Sequence, residues 1–232
     1  MMMFLFPLHC VVEGAEKMTL INNRPLSELI DSWGRHNRRI VRTTHYRPTI
    51  SFFSRRHQRS YFTESWNEYC NLIDLESRLD VLYYDVQPLT ITYDGHREYT
   101  PDVALAYQDK LVAQEIKDSR FCITEEHRAQ YEQLAAVFAE VGYHFELVQI
   151  DKRDPWFTRQ KLLMPYCDAD WSLLNDAAPS SFSGTISQFA CQLGNPDEWL
   201  PRIYAALFFH VIQTSDDRPI SLASHIEWGG VV

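Results

Sequence analysis

The stretch from Tyr99 to Lys117 constrains this chain more than any other. Tyr99-Thr-Pro-Asp102 is followed, after twelve intervening residues, by Glu115-Ile-Lys117. Asp94-Gly95 ahead of it is a strong hairpin signal, and Gln108-Asp-Lys110 marks a second turn. Alternation of apolar and polar residues then predicts strands over 80–86, 89–93, 97 through 102 to about 107, and 111–117. Opposed residues in an antiparallel pair share a face, and their numbers sum to a constant. Centring the turn on Asp109-Lys110 sets Asp102 opposite Lys117 and Ala104 opposite Glu115, which brings Asp102, Glu115 and Lys117 to one face. A turn of odd length would break that register.

The flanking segments predict helices. Thr63 reads as the N-cap of a helix over 64–75, with Trp66, Tyr69, Leu72 and Ile73 on its apolar face and Glu64 and Glu68 stacked four apart on another. Thr124 caps a longer helix over 125–141, with Tyr131, Leu134, Ala135, Phe138 and Val141 inward and Gly142 as the stop. A strand over 144–150 follows, and a crossover through the long helix favours a parallel partner for it. The fold class expected is therefore α/β, a mixed sheet flanked by helices.

Asp151-Lys-Arg-Asp-Pro155 is a charged, proline-closed boundary. Beyond it helices are expected over 156–164, 171–176, 185–193 and 197–213, with a loop over 179–184 and a β-ribbon over 214–222, a winged-helix-like arrangement. Trp171, Phe182, Phe189, Trp199, Phe208 and Phe209 are read as the core of that unit. The domains expected are 1–50, a leader and arginine-rich arm, then 51–154 and 155–232. A short helix over 25–33 precedes the arm, and Met18 is the expected true start, leaving 1–17 as an over-extended leader.

Net charge is −9, yet residues 35–59 hold eight arginines, three histidines and no acid. Pro48 and mixed β-branched and aromatic residues suggest an extended arm there, and Arg38, Arg39, Arg42, Arg47, Arg55, Arg56 and Arg59 are its candidate phosphate contacts. Five scattered cysteines without a Cys-x-x-Cys pair argue for a reducing, cytoplasmic setting. The apolar N-terminus is shorter than the roughly 20 residues a membrane span needs, so no membrane partner is expected.

Two carboxylates and a lysine on one sheet face, with a helix carboxylate nearby, form an oxygen donor set suited to Mg²⁺, with Mn²⁺ as a substitute. Asp102 and Glu115 are the expected direct ligands, and a third carboxylate is expected from the preceding helix, where Glu68 and Glu64 are both available. Lys117 would orient the attacking water and offset developing phosphate charge. This pattern predicts a metal-dependent nuclease.

Glu64-Ser-Trp-Asn-Glu68, Gln87-Pro-Leu-Thr-Ile, Tyr99-Thr-Pro-Asp102 and Glu115-Ile-Lys117 together resemble the TnsA family, the restriction-endonuclease-like subunits of heteromeric bacterial transposases. The likeness covers roughly residues 51–150. It implies a restriction-endonuclease-like fold and cleavage of double-stranded DNA at the 5′ ends of a transposon. It also implies two partners, a DDE-type transposase subunit and an AAA+ ATPase contacted through the C-terminal unit. Glu68, nineteen residues before Gln87, maps to the family's helix glutamate, and Asp102, Glu115 and Lys117 map to the remaining site residues. A stand-alone restriction or repair nuclease of the same fold, and a catalytically silent adaptor between DNA and the ATPase, are the competing readings.

Overall fold

The computed structural model describes residues 20–21, 24–25, 28, 32–33, 49–215 and 219–230. Two short antiparallel strands, β1 (Leu20–Ile21) and β2 (Arg24–Pro25), come first. Glu28, Ser32 and Trp33 are helical, as the 25–33 pattern predicts, and the remaining expectations over 1–48 lie outside the described residues.

The central sheet has the order β10-β9-β8-β5 and is mixed. β5 (Tyr83–Val86), β8 (Val103–Ala106) and β9 (Leu111–Asp118) are antiparallel neighbours, whereas β10 (Tyr143–Ile150) runs parallel to β9. Its crossover is α2 (Glu125–Glu140), whose N-cap Thr124 accepts the His127 N–H at 3.2 Å. β8 is buried along its whole length because both faces are covered. Val103, Leu105, Val112 and Ile116 pack under α1 (Trp66–Ser77), against Leu72, Ile73 and Leu75. On the other face Leu134 and Phe138 of α2 meet Ala113, and Trp33 covers Ala104, Ala106 and Leu111. Trp33 is fastened by its Nε1–H to the Tyr143 hydroxyl at 2.7 Å.

The strand expected over 97–107 is divided. β7 (Arg97–Tyr99) pairs with β6 (Ile91–Tyr93) in a separate hairpin, and Thr100-Pro101-Asp102 carries the chain into β8. Proline has no N–H for a ladder, so the break falls there. The first helix also starts later than expected. Thr63 ends β4 (Arg59–Thr63), paired with Ile50 of β3 (Ile50–Ser54), and the N-cap passes to Ser65, whose Oγ accepts the Glu68 N–H at 3.1 Å. Glu64 therefore lies outside the helix and does not stack on Glu68, and Trp66 is half exposed. Ser65→Ala is expected to lower stability by about 1 kcal/mol in a thermal melt. Val141 is also corrected: it lies beyond α2 and is exposed.

The C-terminal residues build a second apolar cluster around Leu163, Leu174, Ile186, Phe189, Ile203 and Phe208. Phe189 and Phe208 are fully buried, and Trp171, Phe182, Trp199 and Phe209 pack against the cluster, as expected of a core. The helices are α3 (Pro155–Leu163), α4 (Leu174–Ala177), α5 (Ile186–Leu193) and α6 (Pro196–Phe208). Met164, after α3, touches both this cluster and the one under α1. The loop expected over 179–184 holds a strand, β11 (Phe182–Thr185), and its partner is β12 (His225–Trp228). The described part of 214–222 contains no strand; Gln213 instead bridges to Glu227. α6 stops short of 213 because the chain turns at His210, with φ 59°. Among the described residues no helix is long and apolar enough to cross a membrane.

Candidate active site

The register of the β8–β9 hairpin decides which side chains meet. Tyr107 N–H donates to the Lys110 carbonyl at 2.9 Å, closing a tight turn on Gln108 and Asp109. Ala106 then faces Leu111 and Val103 faces Gln114, which brings Asp102 opposite Glu115. The expected register, with Asp102 opposite Lys117, is two residues out because the turn is centred one residue earlier than Asp109-Lys110. A slip of two leaves every side chain on its predicted face, so Asp102, Glu115 and Lys117 still share one side of the sheet.

Asp102 is anchored twice. Its carbonyl accepts the Gln87 N–H at 3.0 Å, extending the β5–β8 ladder, and its Oδ2 accepts the Ile116 N–H at 2.8 Å. Glu115 is held at both oxygens, Oε2 by the Tyr99 hydroxyl at 2.5 Å and Oε1 by Lys117 Nζ. Glu68 accepts the Glu64 N–H at Oε2, 2.9 Å away.

The electrostatics are those of crowded carboxylates. Burial, then the charges of Glu115 and Glu68, push Asp102 up to about 8, against the Ile116 hydrogen bond and Lys117. Burial also raises Glu68, with the Glu64 and Glu115 charges adding to it and the Ser65 and Glu64 hydrogen bonds opposing it. For Lys117 burial acts downward, but the hydrogen bond and charge of Glu115, with Asp102, carry the ammonium above its ordinary range. The Glu68 charge acts on Asp102, and Glu64 lies outside the helix.

The donor set is all oxygen, and burial with neighbouring charge disfavours the ionised forms of Asp102 and Glu68, which fits a hard divalent cation in chemistry and in charge. As the side chains stand, no group of three or more His, Cys, Asp or Glu among the described residues is gathered closely enough to hold a metal. Lys117 occupies Glu115, and Glu68 is engaged with the Glu64 N–H.

Tyr99, quoted in the sequence motif without a role, is the contact that fixes Glu115; its position three residues before Asp102 was the available signal. The buried Gln114 was passed over as well. On the opposite face it accepts from Asn71 Nδ2 at 3.2 Å and donates to Glu146 at 3.1 Å, tying α1 to β10.

Three of the candidate phosphate contacts are partly buried and paired within the chain. Arg55 pairs with Asp168. Arg56 donates to the carbonyls of Glu76 at 3.2 Å, Arg78 at 2.7 Å and Val81, so it caps the C-terminus of α1. Arg59 pairs with buried Asp85 at 2.8 Å. The arm expected to be irregular is the β3–β4 hairpin from Ile50 onward, and hairpin formation is what directs Arg56 to α1 and Arg59 to β5. Arg38, Arg39, Arg42 and Arg47 lie outside the described residues. No family model matches the chain, and no curated protein matches it.

Proposed function

We propose that this protein is a divalent-cation-dependent DNA endonuclease, and that it acts as the subunit of a cut-and-paste transposase that hydrolyses phosphodiester bonds at the 5′ ends of the transposon. The observation that carries the nuclease reading is the cross-strand pair of Asp102 and Glu115, with Glu68 beside it and Lys117 on the Glu115 carboxylate. The element order supports a restriction-endonuclease-like fold: helix, antiparallel strands, crossover helix, parallel strand. The transposase assignment, with its DDE-type and AAA+ partners, rests on the motif resemblance, as does a winged-helix-like role for the C-terminal unit.

Mg²⁺ or Mn²⁺ held by Asp102, Glu115 and Glu68 would supply Lewis acidity at the scissile phosphate and lower the pKa of water. The protein's own groups do the rest. Tyr99 and the Ile116 N–H fix the two strand carboxylates before substrate arrives, so little reorganisation is left for the reaction. Lys117, a compact cation with three donors, can leave Glu115 for a phosphate oxygen or the attacking water.

The test is cleavage of supercoiled plasmid and of a transposon-end duplex by the full chain with Mg²⁺ or Mn²⁺, alone and with the adjacent-frame transposase and ATPase. Cleavage only in the mixture supports the transposase subunit, and cleavage by the chain alone supports a stand-alone nuclease. Lys117→Ala is expected to lower the rate by about 10²-fold or more with DNA binding retained. Cleavage at the original rate by that variant removes Lys117 from the mechanism.

A further inference from the structure

The C-terminal ends of the two parallel strands carry the same device twice. β9 ends on Asp118, followed by Ser119-Arg120, and after β10 comes Asp151-Lys152-Arg153. In the first, Arg120 donates Nε to Asp118 Oδ1 at 2.7 Å and Nη2 to Oδ2 at 3.0 Å, and its backbone N–H also reaches Oδ1 at 3.0 Å. In the second, Arg153 donates Nε to Asp151 Oδ1 and Nη2 to Oδ2, both at 2.8 Å, with its backbone N–H on Oδ1 at 3.0 Å. The two forks are neighbours, since Asp118 is the cross-strand partner of Ile150 and the Ser119 N–H donates to the Ile150 carbonyl at 2.9 Å.

Each fork uses two of the five N–H donors of a guanidinium and leaves three. Both arginine side chains remain about two-thirds exposed, at 65% and 63%. Surface ion pairs of this kind add little stability. What the aspartates do is hold each guanidinium plane still with its remaining donors outward, so less side-chain entropy is lost when an anion arrives. The surroundings favour an anion. Lys117, Lys152, Arg159 and Lys161 join the two arginines over 117–120 and 151–161, six cations against Asp118, Asp151 and Asp154, in a chain whose net charge is −9. Around Arg153 an open surface cavity of about 630 Å³ is lined by Asp151, Asp154, Pro155, Trp156 and Arg159. The device also adjoins the carboxylate site along β9, where Asp118 directly follows Lys117 and points to the other face of the sheet.

We propose that Arg120 and Arg153 together seat the phosphodiester backbone of DNA beside the cut, with the Arg153–Trp156–Arg159 cavity taking the adjoining nucleotide. This inference rests on the nuclease reading and adds phosphate contacts to that site. Asp118 and Asp151 are positioning residues, and phosphate contacts of this type set register without reading sequence.

The experiment is fluorescence anisotropy of a labelled mixed-sequence duplex with the full chain in EDTA, repeated across a salt series. Neutralising phosphates gives a slope of log Kobs against log[salt] of about −0.9 per contact. Arg120→Ala with Arg153→Ala is expected to make that slope shallower by about 2 and each single change by about 1, equally for unrelated sequences. Asp118→Asn with Asp151→Asn keeps both cations and is expected to keep the slope while binding weakens by a few fold, because the guanidinium planes are no longer held. A slope unchanged in the double alanine variant, with wild-type binding intact, overturns this seat and leaves the nuclease reading standing. Failure of the wild-type chain both to bind and to cut DNA overturns both.

Discussion

Asp102→Asn is expected to abolish cation-dependent cleavage, a loss of about 10³-fold or more, and at the same time to stabilise the cation-free protein at alkaline pH. The two effects have one cause. Asp102 sits opposite Glu115 and near Glu68, where burial and two like charges push its carboxyl up to about 8. An unfolded chain releases that proton near pH 4, so between about pH 4 and 8 the folded state holds more protons than the unfolded one. Stability from this group is thus fully present below about pH 4 and is lost as pH rises through about 8. Asparagine keeps an oxygen for the Ile116 N–H and carries no charge, so the decline is removed.

A four-unit displacement corresponds to about 5 kcal/mol as an upper bound, and side-chain relaxation reduces the expected gain to about 2 kcal/mol at pH 8, vanishing towards pH 4. Thermal melts of both proteins at pH 4.5 and 8 measure it. Mg²⁺ supplies the opposite sign: a cation bound only by the folded state at about 100-fold its Kd adds about 2.7 kcal/mol to the wild type, and the asparagine variant is expected to show no such rise. Parallel pH profiles for the two proteins would remove the crowded-carboxylate account, and an equal Mg²⁺ response would remove Asp102 from the metal site.

The face shared by Asp102, Glu115 and Lys117 was legible in the sequence because it depends only on parity, and parity survives a two-residue slip. The register itself was not legible. Gln108-Asp-Lys110 offers two turn centres, and besides its local contact with the Tyr107 ring Lys110 meets, at 3.8 Å, Glu146 of β10, a strand more than thirty residues on. The helix start failed in a similar way. Thr63 and Ser65 are both good caps, and the choice fell to Ser65 only because the β3–β4 pairing had already taken Thr63. Composition shows cations without acids around Arg55, Arg56 and Arg59, but the counter-charges and acceptor carbonyls of these three, Asp85, Asp168 and the end of α1, are distant in sequence and adjacent only in the fold.

Arg59→Ala carries the other large expected effect, and it is on stability. Asp85 is only 1% exposed, and its Oδ1 is met by Arg59 Nη2 and by the Val86 N–H, both at 2.8 Å. The same guanidinium donates Nε to the Tyr61 hydroxyl at 2.8 Å and lies over that ring. Burial raises the Asp85 carboxyl, and Arg59 is the main force holding it down. Removing one partner of a buried pair costs about 3–5 kcal/mol; with Arg59 itself 35% exposed, the lower end, about 3 kcal/mol, is expected. For a chain of this size that is a fall in Tm of roughly 6–12 °C. Loss of Arg59 raises the Asp85 pKa further, so the deficit is greatest at neutral and alkaline pH and shrinks as pH falls and the carboxyl protonates. Adding Asp85→Asn to Arg59→Ala is expected to restore most of the loss, because no buried charge is then left without a partner. The doubly substituted protein should bind duplex DNA with the wild-type salt slope. An Arg59→Ala protein that melts with the wild type but binds DNA with a shallower slope would return Arg59 to the phosphate-contacting set.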